Sequence, residues 1–309
     1  MYKLIQQYHN FILTGAKIAV SISAFYYIWH QAFIFKTFVI PIDFFNLQTI
    51  FVLLTFSLIN WGLEIKKWQF LAGHIQKTGL WDAARQSLTS FSISLLTPNR
   101  VGEYGAKILY FKKKDYVKAT GLVLIGNLSQ LSVSIIFGLI AIVYWFNTGL
   151  IYRLKGMNSF LENGQNKVWI LIVLIIGLSL LLWLYYTKYN QNLLKISFIS
   201  LVFAILRYLF FSTQFVWLLH YFKAPQHLFL LYSGVWLVYF IASLIPILAF
   251  LDWVVKGSVA IMIFSILHLQ TTIIFQIVSI MWLYNFLLPF LIGLLWLWQQ
   301  KIPLKKETL

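Results

Sequence analysis

Of the chain's 309 residues, 61% are hydrophobic and only 10% are charged, against roughly 25% charged in an ordinary soluble domain. Its 24 Lys and Arg outnumber 8 Asp and Glu, giving a net charge of +16, and cysteine is absent. These numbers exclude a soluble globular enzyme, a disulfide framework and thiolate chemistry. The basic residues cluster between apolar runs, so they point to cytoplasmic loops and anionic lipid headgroups rather than to nucleic acid.

The longest polar stretches, 66–85 and 152–167, are each too short to bury a core. The expected fold is therefore an all-α, polytopic transmembrane helix bundle, with residues 1–309 forming a single integral membrane domain. At the N-terminus, MYKLIQQYHNFILTGAK has no short apolar core followed by a small-residue cleavage site, so the apolar run 18–35 is expected to be a retained span. Residues 49–62 predict a second span, ending in NWGLEIKKW, where Ser57, Asn60, Glu64 and Lys67 share one helical face. Two readings of Glu64 stay open: a wet carboxylate beside an aromatic belt of Trp61 and Trp68, or a residue lining the same cavity as Arg100. Residues 74–85 are polar and read as an interfacial helix or loop.

The run 87–97 is too short for a hydrocarbon core that needs ~20 helical residues, and reads as a re-entrant limb. Its return limb follows Pro98 and carries Arg100, Glu103 and Lys107 at helical steps, with Gly102 and Gly105 permitting close backbone approach. A charge at the bilayer centre costs ~2.5–3.5 kcal/mol even on the lenient insertion scale, so these residues are expected to face protein, a partner charge or water. Broken backbone at that depth is tolerated only where it is buried in protein or lines a watery cavity.

Lys112, Lys113, Lys114 and Lys118 form a basic cluster expected at the cytoplasmic leaflet. Residues 119–146 predict a long third span with Asn127, Gln130 and Ser134 on one face, which either bond a neighbouring helix or reach the Arg100 and Glu103 site. After a polar loop at 147–167, residues 168–186 form an uninterrupted apolar span. The next, 196–221, carries Arg207 near its middle and Gln214 two turns later. Arg207 is expected either to pair with a buried carboxylate or to bind a ligand phosphate.

Residues 228–245 meet Pro246, after which Asp252, Lys256 and Gly257 repeat the theme of apolar run, proline, then opposite charges beside a glycine. Paired breaks of this kind are what an inverted repeat looks like in transporters, where they meet near the midplane. Segment 228–269 reads equally as two spans or as one span and a re-entrant limb. The last apolar region, 271–298, carries Trp282, Asn285, Pro289 and Gly293 on one stripe. Pro98, Gly102, Pro246, Gly257 and Pro289 are the expected structural breaks. About seven or eight spans result, with one or two re-entrant helical hairpins. Lys3 and Lys17 before the first span, Lys36 alone after it, and the clusters at 66–85 and 100–118 place the N-terminus in the cytoplasm. Lys301, Lys305 and Lys306 favour the same side for the C-terminus.

The segment TPNRVGEYGAKILY resembles the Pro-x-Arg-x-Gly-Glu signature, with its following basic position, of the transmembrane region of lysylphosphatidylglycerol synthases, also called the flippase-like domain. Pro98, Arg100, Gly102, Glu103 and Lys107 carry the likeness. NWGLEIKKW, the Asn127 and Gln130 span, Arg207 with Gln214, and the WLYNFLLPFLIG ending support it over almost the whole chain. Where many members have a glycine-rich segment with Arg and Glu after the second proline, this chain has PILAFLDWVVKG with Asp252 and Lys256. No counterpart of the soluble aminoacyl-transferase domain is present in this sequence, so that activity is not expected. The resemblance implies a bundle of the bacterial cytoplasmic membrane that binds or translocates a lipid, beside a separately encoded glycosyltransferase or lipid-modifying enzyme.

Three functions compete. In the first, the chain binds and translocates a phospholipid or lipid-linked intermediate: Arg100 and Arg207 clamp a phosphate through their planar donor forks. Glu103 and Asp252 then hold an amine or orient the arginines, while Glu64, Lys107, Asn127, Gln130, Gln214 and Lys256 complete the cavity. Pairing of Arg100 with Glu103, and of Asp252 with Lys256, would stabilise the empty site. In the second, the chain is a non-catalytic partner or scaffold of the separate enzyme. The third, an intramembrane transferase, lacks a His-Glu-x-x-His motif, an aspartate cluster, a phosphate loop and a nucleophile elbow. Asp82 and Arg85 in WDAAR match only a fragment of the CDP-alcohol transferase signature. No catalytic residue, metal or cofactor is expected, Glu103 being the best placed general base should one be needed. The partners expected are membrane lipids, anionic or carrying a lipid-linked sugar; no oligomeric state is indicated.

Overall fold

The computed structural model describes residues 46–94, 97, 101–153, 191–245 and 252–299. The predicted spans 18–35 and 168–186, together with Pro98, Arg100 and Pro246, lie outside them.

All regular structure among the described residues is helical: α1 (Leu47–Ala72), α2 (Leu80–Ser94), α3 (Gly102–Ile108), α4 (Tyr116–Asn147), α5 (Gln191–Tyr221), α6 (Leu228–Leu244), α7 (Asp252–Ser265), α8 (Thr271–Trp282) and α9 (Leu288–Gln299). A π-helical turn, Leu283–Leu287, joins α8 to α9. Four of the described helical stretches, namely α1, α4 with its leading turn, α5, and α8 through α9, are long and apolar enough to cross a membrane. Helix is what such a sequence must form in lipid, where every backbone N–H and C=O needs a partner inside the chain.

Asn46 starts α1 by accepting the Thr49 N–H on its side chain at 2.8 Å, an ordinary N-cap. The helix runs through Gly62, the expected end of the span, to Ala72. It continues because Glu64 and Lys67 pair with each other at 2.7 Å, so neither needs an aqueous boundary at that point. The antiparallel partner of α1 is α5. Gln214 donates to the Leu53 carbonyl near one end, Arg207 meets Glu64 in the middle, and Leu193 and Ile196 pack with Trp68 and Leu71 at the other. Running beside α5, α4 has Gly126 at its contact with α1, where a Cβ would come within 3.1 Å of Leu71.

Two short antiparallel pairs fill the bundle between these long helices. In α2 and α3, Thr89 and Tyr110 share a hydroxyl hydrogen bond of 2.6 Å, and the Gly102 N–H donates to the Thr97 hydroxyl at 2.7 Å. In α6 and α7, Lys256 lies over the Tyr239 ring near one end, and the Gln226 amide donates to the Leu267 carbonyl at the other. Against α4, α6 is held by the Trp145 indole donating to the Ser233 hydroxyl at 2.9 Å. One end of the bundle collects the exposed Lys66, Lys77, Lys112, Lys113, Lys114 and Lys118, with Lys118 donating to the His74 carbonyl.

Some expected breaks differ from their predicted form. Gly257 lies buried inside α7 with a Cβ position 3.6 Å from Phe275, so it permits packing and interrupts nothing. Gly102 does bring α3 onto Ser94 and Thr97, whereas a Cβ at Gly105 would meet nothing within 4 Å. Pro289 lies in the first turn of α9. Lacking an N–H, it leaves the Asn285 carbonyl without its helical donor, and the Trp61 indole supplies one at 3.0 Å. The neighbouring Tyr284 carbonyl accepts from Ser57 at 2.6 Å. A π-bulge held open by side chains of α1 thus replaces a simple break.

At Gly293, a Cβ would overlap the Leu88 carbonyl and the Ser92 hydroxyl of α2. Gly293→Ala should therefore lower the thermal unfolding midpoint in detergent, at a cost of about 1–3 kcal/mol for forcing the two helices apart. Gly121→Ala, which meets nothing within 4 Å, should leave the midpoint unchanged or raise it.

Candidate functional site

The polar residues of these apolar helices converge on one cavity of about 510 Å³, walled by α1, α2, α3, α4, α5, α6, α7, α8 and the π-helical turn. In its wall an ion cluster joins α1 to α5. Glu64 Oε2 lies 2.7 Å from both Lys67 Nζ and Arg207 Nη1. The Arg207 Nε donates to Asn60 Oδ1 at 3.0 Å, and its Nη1 also lies at the hydrogen-bond limit, 3.5 Å, from Gln130 Oε1. From Asn60 an amide chain continues: Asn60 donates to Asn285 at 2.9 Å and Asn285 to Gln214 at 2.8 Å. This network ties α1, α4, α5 and the π-helical turn together. Burial makes each bond matter, because a buried polar group left unpaired carries its whole desolvation cost.

Glu64 is not a wet carboxylate: it is buried, lines the cavity and has Arg207 as its partner, while Arg100, with which it is expected to share a cavity, lies outside the described residues. Glu103 also lines the cavity and pairs with Lys107 at 2.6 Å. Lys107 itself sits behind the wall, with its ammonium 4.2 Å from the Trp68 ring centroid. Gln214 is likewise behind it, fully buried, holding Asn285 and the Leu53 carbonyl. These two residues support the lining rather than form it. Asp252 and Lys256, paired at 2.6 Å, face the cavity from the first turn of α7. Asn127, Gln130 and Ser134 line it from α4, their shared face as the sequence spacing predicts.

Sequence reasoning did not single out Ser87, Tyr208, Tyr239 or Trp253, which also line the cavity. Ser87 stands in a Ser- and Thr-rich run and the aromatics in a chain full of them, so nothing distinguishes them before folding. Lys67 and Asn285 did carry a signal, Lys67 by sharing a helical face with Asn60 and Glu64 and Asn285 as a polar group in an apolar run.

Comparison of the chain with family models, with curated proteins and with solved structures gives no match in any of the three. What the arrangement can do follows from its chemistry. Among the described residues each carboxylate of the lining has a cation within 2.7 Å, which suits it to holding a ligand and ill suits it to proton abstraction. The site is polar, fixed by hydrogen bonds from several helices, and large enough for a lipid headgroup of a few rings or a phosphodiester.

Glu64→Gln leaves Lys67 and Arg207 buried without their counter-charge. It should cost about 3–5 kcal/mol of stability, as for other broken buried pairs, and Arg207→Gln in the same chain should restore part of that loss. Asp252→Asn breaks a pair whose side chains are about a quarter exposed and should cost about 1 kcal/mol or less. Denaturant unfolding in mixed micelles reads all of these.

Proposed function

We propose that the chain binds a lipid headgroup in this cavity and moves it between the leaflets of the bacterial cytoplasmic membrane. The observation that carries the reading is a charged and amide-lined cavity of about 510 Å³ inside a bundle of apolar helices. Acyl chains would stay in lipid while the headgroup enters the polar interior. Arg207, with Arg100 from the neighbouring signature, would meet a phosphate, while Glu103 and Asp252 orient the cations. Likeness of 97–110 to the flippase-like signature points the same way.

On this reading the pairs α2 with α3 and α6 with α7 are re-entrant hairpins. At 15 residues, α2 spans ~22 Å against a hydrocarbon core of ~30 Å. The two pairs enter from opposite ends of the bundle, and Glu103 of the first pair and Ser243 and Asp252 of the second line the same cavity. Opposed hairpins meeting at a binding site are the arrangement of inverted-repeat transporters. Together with residues outside the description they would complete about seven or eight spans, with the lysine-rich end and both termini cytoplasmic. The competing role, a scaffold for a separately encoded glycosyltransferase or lipid-modifying enzyme, is favoured by one observation: the cavity's charges are already paired within the chain, as purely structural ion pairs are.

Vesicles holding the purified protein should scramble fluorescently labelled phospholipid or lipid-linked sugar. Glu103→Ala and Arg100→Ala, compared at matched folded yield, should lose most of that rate. A wild-type protein inactive with every lipid, beside variants that merely unfold, would mean that the chain does not transport by itself.

A further inference from the structure

Resting on the headgroup-binding reading, we infer that the cavity selects an anionic phosphodiester headgroup, held on a free edge of Arg207, over zwitterionic and neutral headgroups. Two separate observations carry this: the balance of charge around the cavity, and the state of that arginine.

In the lining and directly behind it, four cations stand against three carboxylates. Glu103 has Lys107 and Asp252 has Lys256, one cation each. Glu64 has two, Lys67 and Arg207, and both reach the same oxygen, Oε2, at 2.7 Å. The other described carboxylates, Asp82 and Asp115, form no part of the lining. One positive charge is therefore uncompensated among the described residues, inside an apolar bundle where that is costly. A phosphodiester, with its single negative charge, cancels it. A zwitterionic headgroup brings no net charge, and its ammonium would meet carboxylates that already hold a lysine or an arginine.

Arg207 is the cation placed to receive the phosphate. Its side chain is the most exposed of the shared cluster, at 18% against 11% for Glu64 and 4% for Lys67, and it lines the cavity. The guanidinium is fixed by Nε donating to Asn60, by Nη1 donating to Glu64, and by the Trp61 ring, whose centroid lies 5.7 Å from Cζ. Nη2 has no hydrogen-bond partner among the described residues and is not an occluded atom. That nitrogen carries two N–H donors, so it can bond a phosphate oxygen without first giving up a partner. Should Arg207 lean toward the ligand, Lys67 stays on the carboxylate. Two cations on Glu64 thus free one of them to serve a ligand without leaving a buried charge alone.

The test is equilibrium binding of fluorescently labelled phosphatidylglycerol, phosphatidylcholine and diacylglycerol to the full chain in a neutral detergent. Phosphatidylglycerol should bind at least about 10-fold more tightly than the other two, the worth of one charged hydrogen bond. Arg207→Gln and Lys67→Gln each remove the excess charge and leave Glu64 one cation, so both should fold, and in both the preference should fall to about 3-fold or less. Arg207→Lys, which keeps the charge but not the planar fork, should retain the preference with about 5-fold weaker binding. Wild-type protein that binds phosphatidylcholine as tightly as phosphatidylglycerol overturns the inference. So does an undiminished preference in either folded glutamine variant, because the lysine-rich end of the bundle would then be what holds the anionic lipid. Soluble glycerophosphoglycerol should compete with the labelled lipid; equal competition by inorganic phosphate would make this a site for any small phosphate and overturns the inference too. Parallel scrambling in vesicles separates the two readings. Phosphatidylcholine and phosphatidylglycerol bound equally and both moved sinks the selection and spares transport; phosphatidylglycerol bound through Arg207 while no lipid moves does the reverse.

Discussion

An arginine and a lysine share one buried carboxylate at the centre of this bundle. Glu64 holds Lys67 and Arg207 at 2.7 Å each, and neither cation would be tolerated at that depth without it. The pairing fixes α5 against α1, and through Asn60, Asn285 and Gln214 it fixes the π-helical turn to both. Remove the carboxylate and two cations must find water; the cavity would then be rebuilt or lost. Structure and candidate function therefore depend on the same few atoms.

The interruptions in the apolar helices serve that centre. Pro289 frees a carbonyl that Trp61 occupies, and the π-bulge it permits turns Asn285 toward Asn60 and Gln214. Gly102 lets α3 begin against the end of α2, placing Glu103 on the cavity wall. Gly293 lets α9 press on α2 from behind, with Ser92 donating to the Phe290 carbonyl at 2.9 Å. Each break relocates backbone polarity to a place where a side chain satisfies it, which is the condition for irregular backbone inside an apolar bundle.

How much of this was legible in the sequence differs by level. Long helices followed from apolar runs of more than 20 residues, and their ends in α4, α5 and α8 through α9 fall within a few residues of the predicted ones. Charges in such runs are costly enough to announce themselves, so Glu64, Glu103, Arg207, Asp252 and Lys256 could be named before any fold was known, and the structure brings all five to one cavity. Partner choice was not legible. The arrangement that gives Arg207 to Glu64 depends on which helices are neighbours, and spacing along the chain says nothing of that. Nor could spacing tell lining from support: Lys107 and Gln214 share the pattern of the lining residues yet sit one layer behind.

A polar cavity inside an apolar bundle is expected to hold water, and the chain's lack of cysteine allows it to be probed directly. Asn127 lines the cavity from α4, while Leu128, one residue on, is half exposed on the outer surface of the same helix. In native membranes, Asn127→Cys should react with a charged, membrane-impermeant thiol reagent, and Leu128→Cys should not, because it faces lipid at the same depth. Equal inertness of both positions would contradict the account, leaving a dry, structural core where it places a site.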